Sequence, residues 1–434
     1  MTTGRSERRL TATVTDLSVV RQRAFLVGSI LGGEPERSLD ELARLTDTAG
    51  SDPVGRAVLR ARAPNPATLI GSGQASELAS ETARLDVDVV IFDDDLAPTQ
   101  QRNLQKVFTC DVVDRPGLIL DIFAQHATSR SGMLQVELAL LRYHLPRLRG
   151  RGTALSRQAG GIGTRGPGET KLETDRRRIE RRILKLTAEL EKLERTRATQ
   201  RKARARNDVP LIALVGYTNA GKSTMLNALT GTDVIVEDRL FSTLDATVRR
   251  LELPDGRGVV VSDTVGFVRR IPHDLIAAFH STLEEIADAA VVVHIADASD
   301  PDTEAHIAAV RSVLEELGAA TIPEQLVFNK TDASDQVHLR RLTELHPGAI
   351  AVSAQRGEGL DGLLDRIQRL LPFDAIEAVV MVPYDRPDLL STVWNQTEVL
   401  REEHADTGTR FTVRLPPSLR STFSVEGTLE EPTN

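Results

Sequence analysis

The chain has 434 residues, a formal net charge of −8, 40% hydrophobic and 27% charged residues, and a single cysteine, Cys110. That length allows roughly two to four domains with cores of their own, the lone cysteine excludes an internal disulfide and a Cys-rich zinc site, and no apolar run approaches the ~20 residues that cross a bilayer. The charged start MTTGRSERRL lacks the apolar stretch of a secretory signal, so a reducing, cytoplasmic setting is expected.

Residues 1–132 alternate strand-like and helix-like pieces, which predicts an N-terminal α/β domain. AFLVGSI (24–30) and VDVVIFDD (87–94) read as buried strands, and LIGSGQASELA (69–79) as a turn entering a helix. SLDELARLTDTAG (38–50) reads as a helix with Ser38 as N-cap, Glu41 three residues on and Gly50 as its stop. Asp93, Asp94 and Asp95 have metal-binding chemistry, but their place after a strand favours a strand end that caps the helix starting near Pro98.

Residues 133–206 form the second predicted unit. Leu134, Leu138, Leu141, Leu145 and Leu148 share the four-three spacing of Ile179, Ile183, Leu186, Leu190 and Leu193. Two such stripes predict an antiparallel helical hairpin. The intervening RGRGTALSRQAGGIGTRGPG (149–168) carries seven glycines, four arginines and no acid. Between Arg142 and Arg206 stand 20 Lys/Arg against seven Asp/Glu, in a chain that is otherwise acidic. A flexible cationic tip on an acidic protein points to a polyanionic partner, with Arg149, Arg151, Arg157 and Arg165 as candidate RNA contacts.

From 209 the pattern becomes strand, loop, helix, repeated. LIALV, VVVSD, AAVVVHIAD, QLVFN and AIAVS are continuous apolar runs, suited to a parallel sheet covered on both faces. A third domain is expected over 207–372. In 373–434, VVMVP, RFTVRL and STFSVEG are the expected strands of a small C-terminal domain.

The third domain carries the chemistry. Gly216, Tyr217, Thr218, Asn219, Ala220, Gly221, Lys222, Ser223 and Thr224 satisfy the full phosphate-loop pattern between a strand and a helix. The glycines let backbone N–H groups close around phosphates at a helix N-terminus. Lys222 brings charge to the β/γ-phosphates, and Ser223 offers a hydroxyl to Mg²⁺. In Phe241, Ser242, Thr243, Leu244 and Asp245, Thr243 is the candidate second magnesium hydroxyl. Asp263, Thr264, Val265 and Gly266 follow a strand, where the aspartate can hold the metal through water and the glycine N–H can sense the γ-phosphate. Asn329, Lys330, Thr331 and Asp332 follow another, and a carboxylate there accepts from guanine N1–H and N2–H₂. Ser353, Ala354 and Gln355 end the next strand, with backbone N–H groups suited to guanine O6. These motifs, in this order, predict GTP and not ATP as the ligand. Phe267 stands where a glutamine would orient the attacking water, so hydrolysis should be slow alone, with the missing contact supplied by a partner, a metal ion or another residue.

GYTNAGKST, LFSTLDAT, DTVGFVRRIPHDLIAAFHSTLEE and NKTD together resemble the HflX family of translation-associated GTPases. The resemblance extends upstream through SLDELARLTDTAG, LIGSGQASEL, DRPGLILDIFA, LQVELALLRYHLPRL and GPGETKLETDRRRI, and covers nearly the whole chain to about residue 372 and more loosely the tail. It implies an N-terminal α/β domain, a helical linker, a Ras-like G domain and a short C-terminal domain. It also implies binding of GTP and GDP, binding to the large ribosomal subunit and its RNA, and ribosome-stimulated hydrolysis that splits stalled or idle ribosomes. A monomer with no DNA partner and no transmembrane segment is the corresponding expectation. Asn219 matches an asparagine that coordinates potassium in related cation-activated GTPases. Two other readings stay open: an RNA-bound switch without splitting activity, and an RNA-remodelling NTPase acting through residues 1–132, where no second phosphate loop occurs.

Overall fold

The computed structural model describes residues 21–29, 35–59, 63–148, 167–206, 209–231, 240–241, 247–269, 286–371, 376–415, 419, 422–423 and 429–430. It is a multidomain α/β protein whose residues divide into two compact units, Met1–Gln125 with Tyr143–Leu172 and His126–Arg142 with Glu173–Asn434.

The first unit is built on four parallel strands in the order β2-β1-β3-β4, with β1 Gln22–Ser29, β2 Ser51–Leu59, β3 Val89–Phe92 and β4 Asp111–Asp114. Helices α1 (Pro35–Thr48), α2 (Ser72–Arg84), α3 (Pro98–Phe108) and α4 (Arg115–His126) connect and follow them. Phe25, Val27, Val90, Phe92, Leu78 and Leu104 pack together in its core.

Two local expectations are corrected here. Helix α1 starts at Pro35, three residues before Ser38, so Ser38 lies inside the helix and is not its cap. Its hydroxyl donates instead to Asp93 Oδ2 at 2.6 Å. The acidic trio does not cap α3 either, whose N-cap is Ala97. Asp93 is buried and pairs with Arg115 Nη1 at 2.7 Å, while Arg115 Nη2 lies 2.7 Å from Glu41. A buried guanidinium needs anionic partners more than a helix end needs a cap.

Helix α5 (Arg130–Arg147) and the 40-residue helix α6 (Pro167–Arg206) carry the two apolar stripes. In the seam the first three residues of one stripe, Leu134, Leu138 and Leu141, pack with the middle three of the other, Ile183, Leu186 and Leu190. Glu137 and Arg182 close its flank through two bonds of 2.6 Å. Residues 149–166 of the connecting tip, with Arg149, Arg151, Arg157 and Arg165, lie outside the described residues, and the last two tip positions already belong to α6.

The sheet of the third domain has six strands in the order β10-β9-β8-β5-β7-β6: β5 Leu211–Gly216, β6 Thr247–Glu252, β7 Gly258–Asp263, β8 Val291–Asp297, β9 Glu324–Asn329 and β10 Ile350–Ala351. Five run parallel, and β6 joins the edge antiparallel to β7. TVRRLE was not legible as that strand because an edge strand with four exposed or half-exposed polar positions lacks a continuous apolar run. Helices α7 (Lys222–Thr230), α8 (Thr303–Glu316), α9 (Gln336–Leu345) and α10 (Leu360–Leu370) belong to the same domain. Residues of α7 and α10, such as Met225 and Ile367, share a core with Ile212, Val261 and Val293 of the sheet, and Leu342 of α9 shares one with Phe328.

The C-terminal sheet is antiparallel, ordered β12-β13-β11-β14, from β11 Ile376–Pro383, β12 Glu398–Ala405, β13 Gly408–Leu415 and β14 Leu429–Glu430. Helix α11 (Pro387–Gln396) contributes Leu389 and Val393 to its core. In STFSVEG, Thr422 and Phe423 are helical and the other residues lie outside the described ones; β12, with its mostly charged sequence EVLREEHA, is a strand the sequence did not mark.

Replacing Arg115 by methionine should destabilise the first unit by about 3–5 kcal/mol, because it strands a buried carboxylate. Hydrogen exchange on the full chain should show early loss of protection in β1 and β3, with β5 and β8 unchanged. Equal loss in all four strands would mean that the pair does not act locally.

Candidate functional site

In a parallel sheet the strand ends that follow one direction gather at one edge, where the loops form a crevice. Strands β5, β7, β8 and β9 deliver Gly216, Asp263, Asp297 and Asn329 to that edge, and the motif residues are therefore neighbours despite more than a hundred intervening positions.

The loop after β5 is tight for two reasons. A Cβ on Gly216 would fall 2.2 Å from the backbone oxygen of Ile295, and one on Gly221 would fall 2.3 Å from Asn329 Nδ2. Gly221 also adopts a φ of +89°, which other residues resist. Asn219 takes a left-handed φ of 61°, a conformation that asparagine tolerates better than most.

Lys222 is 6% exposed. Its Nζ donates to the carbonyls of Gly216 at 3.2 Å and Tyr217 at 3.0 Å, so the ammonium sits in the mouth of the loop. Burial pushes its pKa down to about 8, against the opposing influence of Asp263. Ser223 Oγ donates to Asp263 Oδ2 at 2.7 Å. Two hard oxygen donors this close, one of them anionic and 1% exposed, fit a small divalent cation such as Mg²⁺. Thr243, with Ser242, Leu244 and Asp245, lies outside the described residues; Phe241 is 3% exposed.

After β7 the chain continues alongside the loop. Thr218 N–H donates to the Phe267 carbonyl at 2.7 Å, and Phe267 N–H donates to the Gly216 carbonyl at 3.1 Å. Phe267 itself is 2% exposed. Gly266 is pressed so close that an added Cβ would stand 2.8 Å from Thr218 Cγ2 and 3.1 Å from Lys222 Nζ.

The loop after β9 is tied to the others by one side chain. Asn329 Nδ2 donates to the Ala220 carbonyl at 2.9 Å, and Asn329 Oδ1 accepts from Ala354 N–H at 3.0 Å. The Ala354 N–H expected to meet a base oxygen is thus already engaged by Asn329. Asp332 accepts from the Ser353 hydroxyl at 2.7 Å, and that bond holds its carboxyl below the usual pKa. Lys330, at a left-handed φ of 61°, pairs with Asp297 at 2.7 Å.

Three of these contributors were not read from the sequence. Asp297 ends β8 beneath Lys330, a position signalled only by the polar end of an apolar run. His306 of α8 stacks on Tyr217 with ring centroids 3.8 Å apart and 13° between planes. Arg269 N–H donates to the Tyr217 hydroxyl at 2.6 Å. The last two contacts join segments with no shared spacing, and no one-dimensional signal marks them.

Four family models match in succession. They are described as GTP-binding GTPase N-terminal (residues 36–124), GTP-binding GTPase Middle Region (126–204), 50S ribosome-binding GTPase (211–330) and HflX C-terminal domain (339–424). The chain is 46% identical over 398 residues to GTPase HflX of Caldanaerobacter subterraneus subsp. tengcongensis, covering 91% of each. It is 42% identical over 407 residues to that of Lacrimispora saccharolytica, covering 93% of this chain and 96% of the other. It is 42% identical over 381 residues to that of Escherichia coli, covering 87% and 89%. Among solved structures, a complex of SsGBP and GDP matches 81% of this chain and 98% of that one at 24% identity and a TM-score of 0.45.

The Lys222 pKa sets a pH dependence. The folded-state value of about 8 lies below the ordinary 10.5. The resulting cost to folding is complete below about pH 8 and fades as pH rises toward 10.5, because the unfolded chain then holds the extra proton. A diphosphate beside Nζ would favour the ammonium and raise the pKa again. Calorimetry of GDP binding at about pH 8.5, in two buffers of different ionisation enthalpy, should therefore show fractional proton uptake. Affinity should fall above that pH, by up to tenfold per unit. Lys222→Met should abolish the uptake; an uptake that survives would come from another group.

Proposed function

This chain belongs to the HflX family of GTPases, and from that membership we propose that it binds the large ribosomal subunit and uses GTP binding and hydrolysis to split stalled or idle ribosomes. The observation that carries the nucleotide part is the convergence of Lys222, the Ser223–Asp263 pair and the Asp332–Ser353 pair at one sheet edge. The model matched over 211–330 describes 50S ribosome-binding GTPases, and the excess of 20 Lys/Arg over seven Asp/Glu between Arg142 and Arg206 supports an RNA partner.

In this reading the backbone N–H groups of 216–224 wrap the β- and γ-phosphates, and Lys222 neutralises charge that builds up between them. Ser223 and Thr243 hold Mg²⁺, with Asp263 behind it; the ion supplies charge neutralisation when bound. Phe241 to Asp245 and Asp263 to Gly266 form the two segments that follow the γ-phosphate. Potassium beside Asn219 is part of the same proposal. Asp332 accepts from the guanine edge, and Ser353 to Gln355 border the base. Phe267 is apolar and buried, so it cannot position water; the ribosome supplies what is missing, and hydrolysis is slow without it. The protein acts as a cytoplasmic monomer.

Asp332→Asn should weaken GTP by ~1–3 kcal/mol, because an amide N–H₂ then faces the N1–H of guanine, while xanthosine triphosphate, which has a carbonyl at C2, should gain. Competition binding with both nucleotides measures it, and unchanged selectivity removes Asp332 from base reading.

Sedimentation of ribosomes with the protein and either GTP or a non-hydrolysable analogue tests the splitting. Free subunits accumulating with either nucleotide support it; intact ribosomes that retain the bound protein favour a switch without splitting activity. Neutralising Arg149, Arg151, Arg157 and Arg165 together should leave GTP affinity intact. It should lower large-subunit affinity and reduce the slope of log affinity against log salt by roughly one per lost phosphate contact. Equal slopes would leave these arginines as ordinary surface charge.

A further inference from the structure

The phosphate loop contains one group that the reading above does not use. Thr218 is 7% exposed, and its Oγ1 is buried with no hydrogen-bond partner among the described residues. A buried hydroxyl without a partner is unfavourable, and a valine of the same shape would fill the space without that penalty. Such an atom calls for a partner that arrives with a ligand.

The neighbours of the residue say which part of the ligand it borders. The Thr218 methyl and Cα lie 2.8 and 2.9 Å from where a Gly266 Cβ would stand, and Lys222 Nζ lies 3.1 Å from the same point. Gly266 and Lys222 are the groups assigned to the γ-phosphate side. Thr218 N–H is bonded to the Phe267 carbonyl, so the backbone of this residue is fixed. Its χ1 is stiff because the side chain is β-branched. The neighbouring Phe267 side chain has no polar group to offer.

We propose that the Thr218 hydroxyl is a catalytic contact to bound GTP, donating a hydrogen bond to a γ-phosphoryl oxygen as charge develops there during transfer to water. The inference rests on the nucleotide site described under the proposed function. It adds a group that acts on the reaction and hardly at all on the binding of GDP, which has no γ-phosphate. A fixed donor at an oxygen that gains charge lowers the barrier more than it tightens the ground state.

The test compares Thr218→Val, which keeps the shape, with Thr218→Ser, which keeps the hydroxyl. Single-turnover GTP hydrolysis would be followed with and without large ribosomal subunits, alongside GDP affinity and thermal unfolding of the nucleotide-free chain. The valine variant should hydrolyse GTP roughly ten- to hundredfold more slowly, with GDP affinity within about twofold of the parent and a Tm equal or higher. The serine variant should recover most of the rate. Valine and parent hydrolysing alike would overturn the proposal, and so would valine and serine slowing equally, since shape alone would then matter. Loss of GDP affinity in the valine variant would also overturn it, by making the residue part of the loop's framework. If the parent chain itself failed to bind GDP, the nucleotide-site reading would fall, a result distinct from all of these.

Discussion

Asn329 holds the candidate site together with one primary amide. Its N–H₂ bonds the Ala220 carbonyl in the phosphate loop, and its carbonyl takes the Ala354 N–H from the loop after β10. Both loops are buried at these points, so each bond is made in surroundings where an unmade one would be costly. Packing follows from the same contact. Gly221 has no room for a Cβ because Asn329 Nδ2 stands 2.3 Å from where it would be. The two loops can meet only because β5 and β9 flank β8 in one parallel sheet.

The site also keeps polar groups where a stability-optimised core would not. Lys222 is buried against two carbonyls, Asp263 is 1% exposed, and the Thr218 hydroxyl has no hydrogen-bond partner among the described residues. Each is unfavourable in the nucleotide-free chain and becomes favourable beside phosphate and a divalent cation. The stability lost in these loops is regained from the surrounding sheet, where Ile212, Leu214, Val261, Val293 and Val327 are all but inaccessible. Rigid strands below and poised polar loops above are the physical division of labour in this domain.

The first unit shows a different use of buried charge. Arg115, Glu41, Asp93 and Ser38 form a buried charged cluster within it, and Asp114 accepts from Leu96 N–H, Gly117 N–H and Tyr143 Oη as well as pairing with Arg147. These contacts fix how helices α1, α4 and the end of α5 dock on the strands of that unit. They are specific and costly to break singly, and they involve residues that looked like caps and strand ends in the linear sequence.

Local sequence determined what depends on near neighbours. The continuous apolar runs became β5, β7, β8 and β9 because a strand covered on both faces needs no polar alternation. The glycine, lysine and serine spacing of 216–224 became a strand–loop–helix unit because its pattern is contained in nine consecutive residues. The sheet order, the antiparallel β6, the charged strand β12 and the true partner of Ser38 were decided only by tertiary structure. Edge strands and ion pairs draw their stability from residues far away in the chain, and propensity carries no record of them. The stacking of His306 on Tyr217 and the burial of the Thr218 hydroxyl belong to the same class. Both are defined by what surrounds a side chain in three dimensions, and that environment exists only once the sheet has brought its loops to one edge.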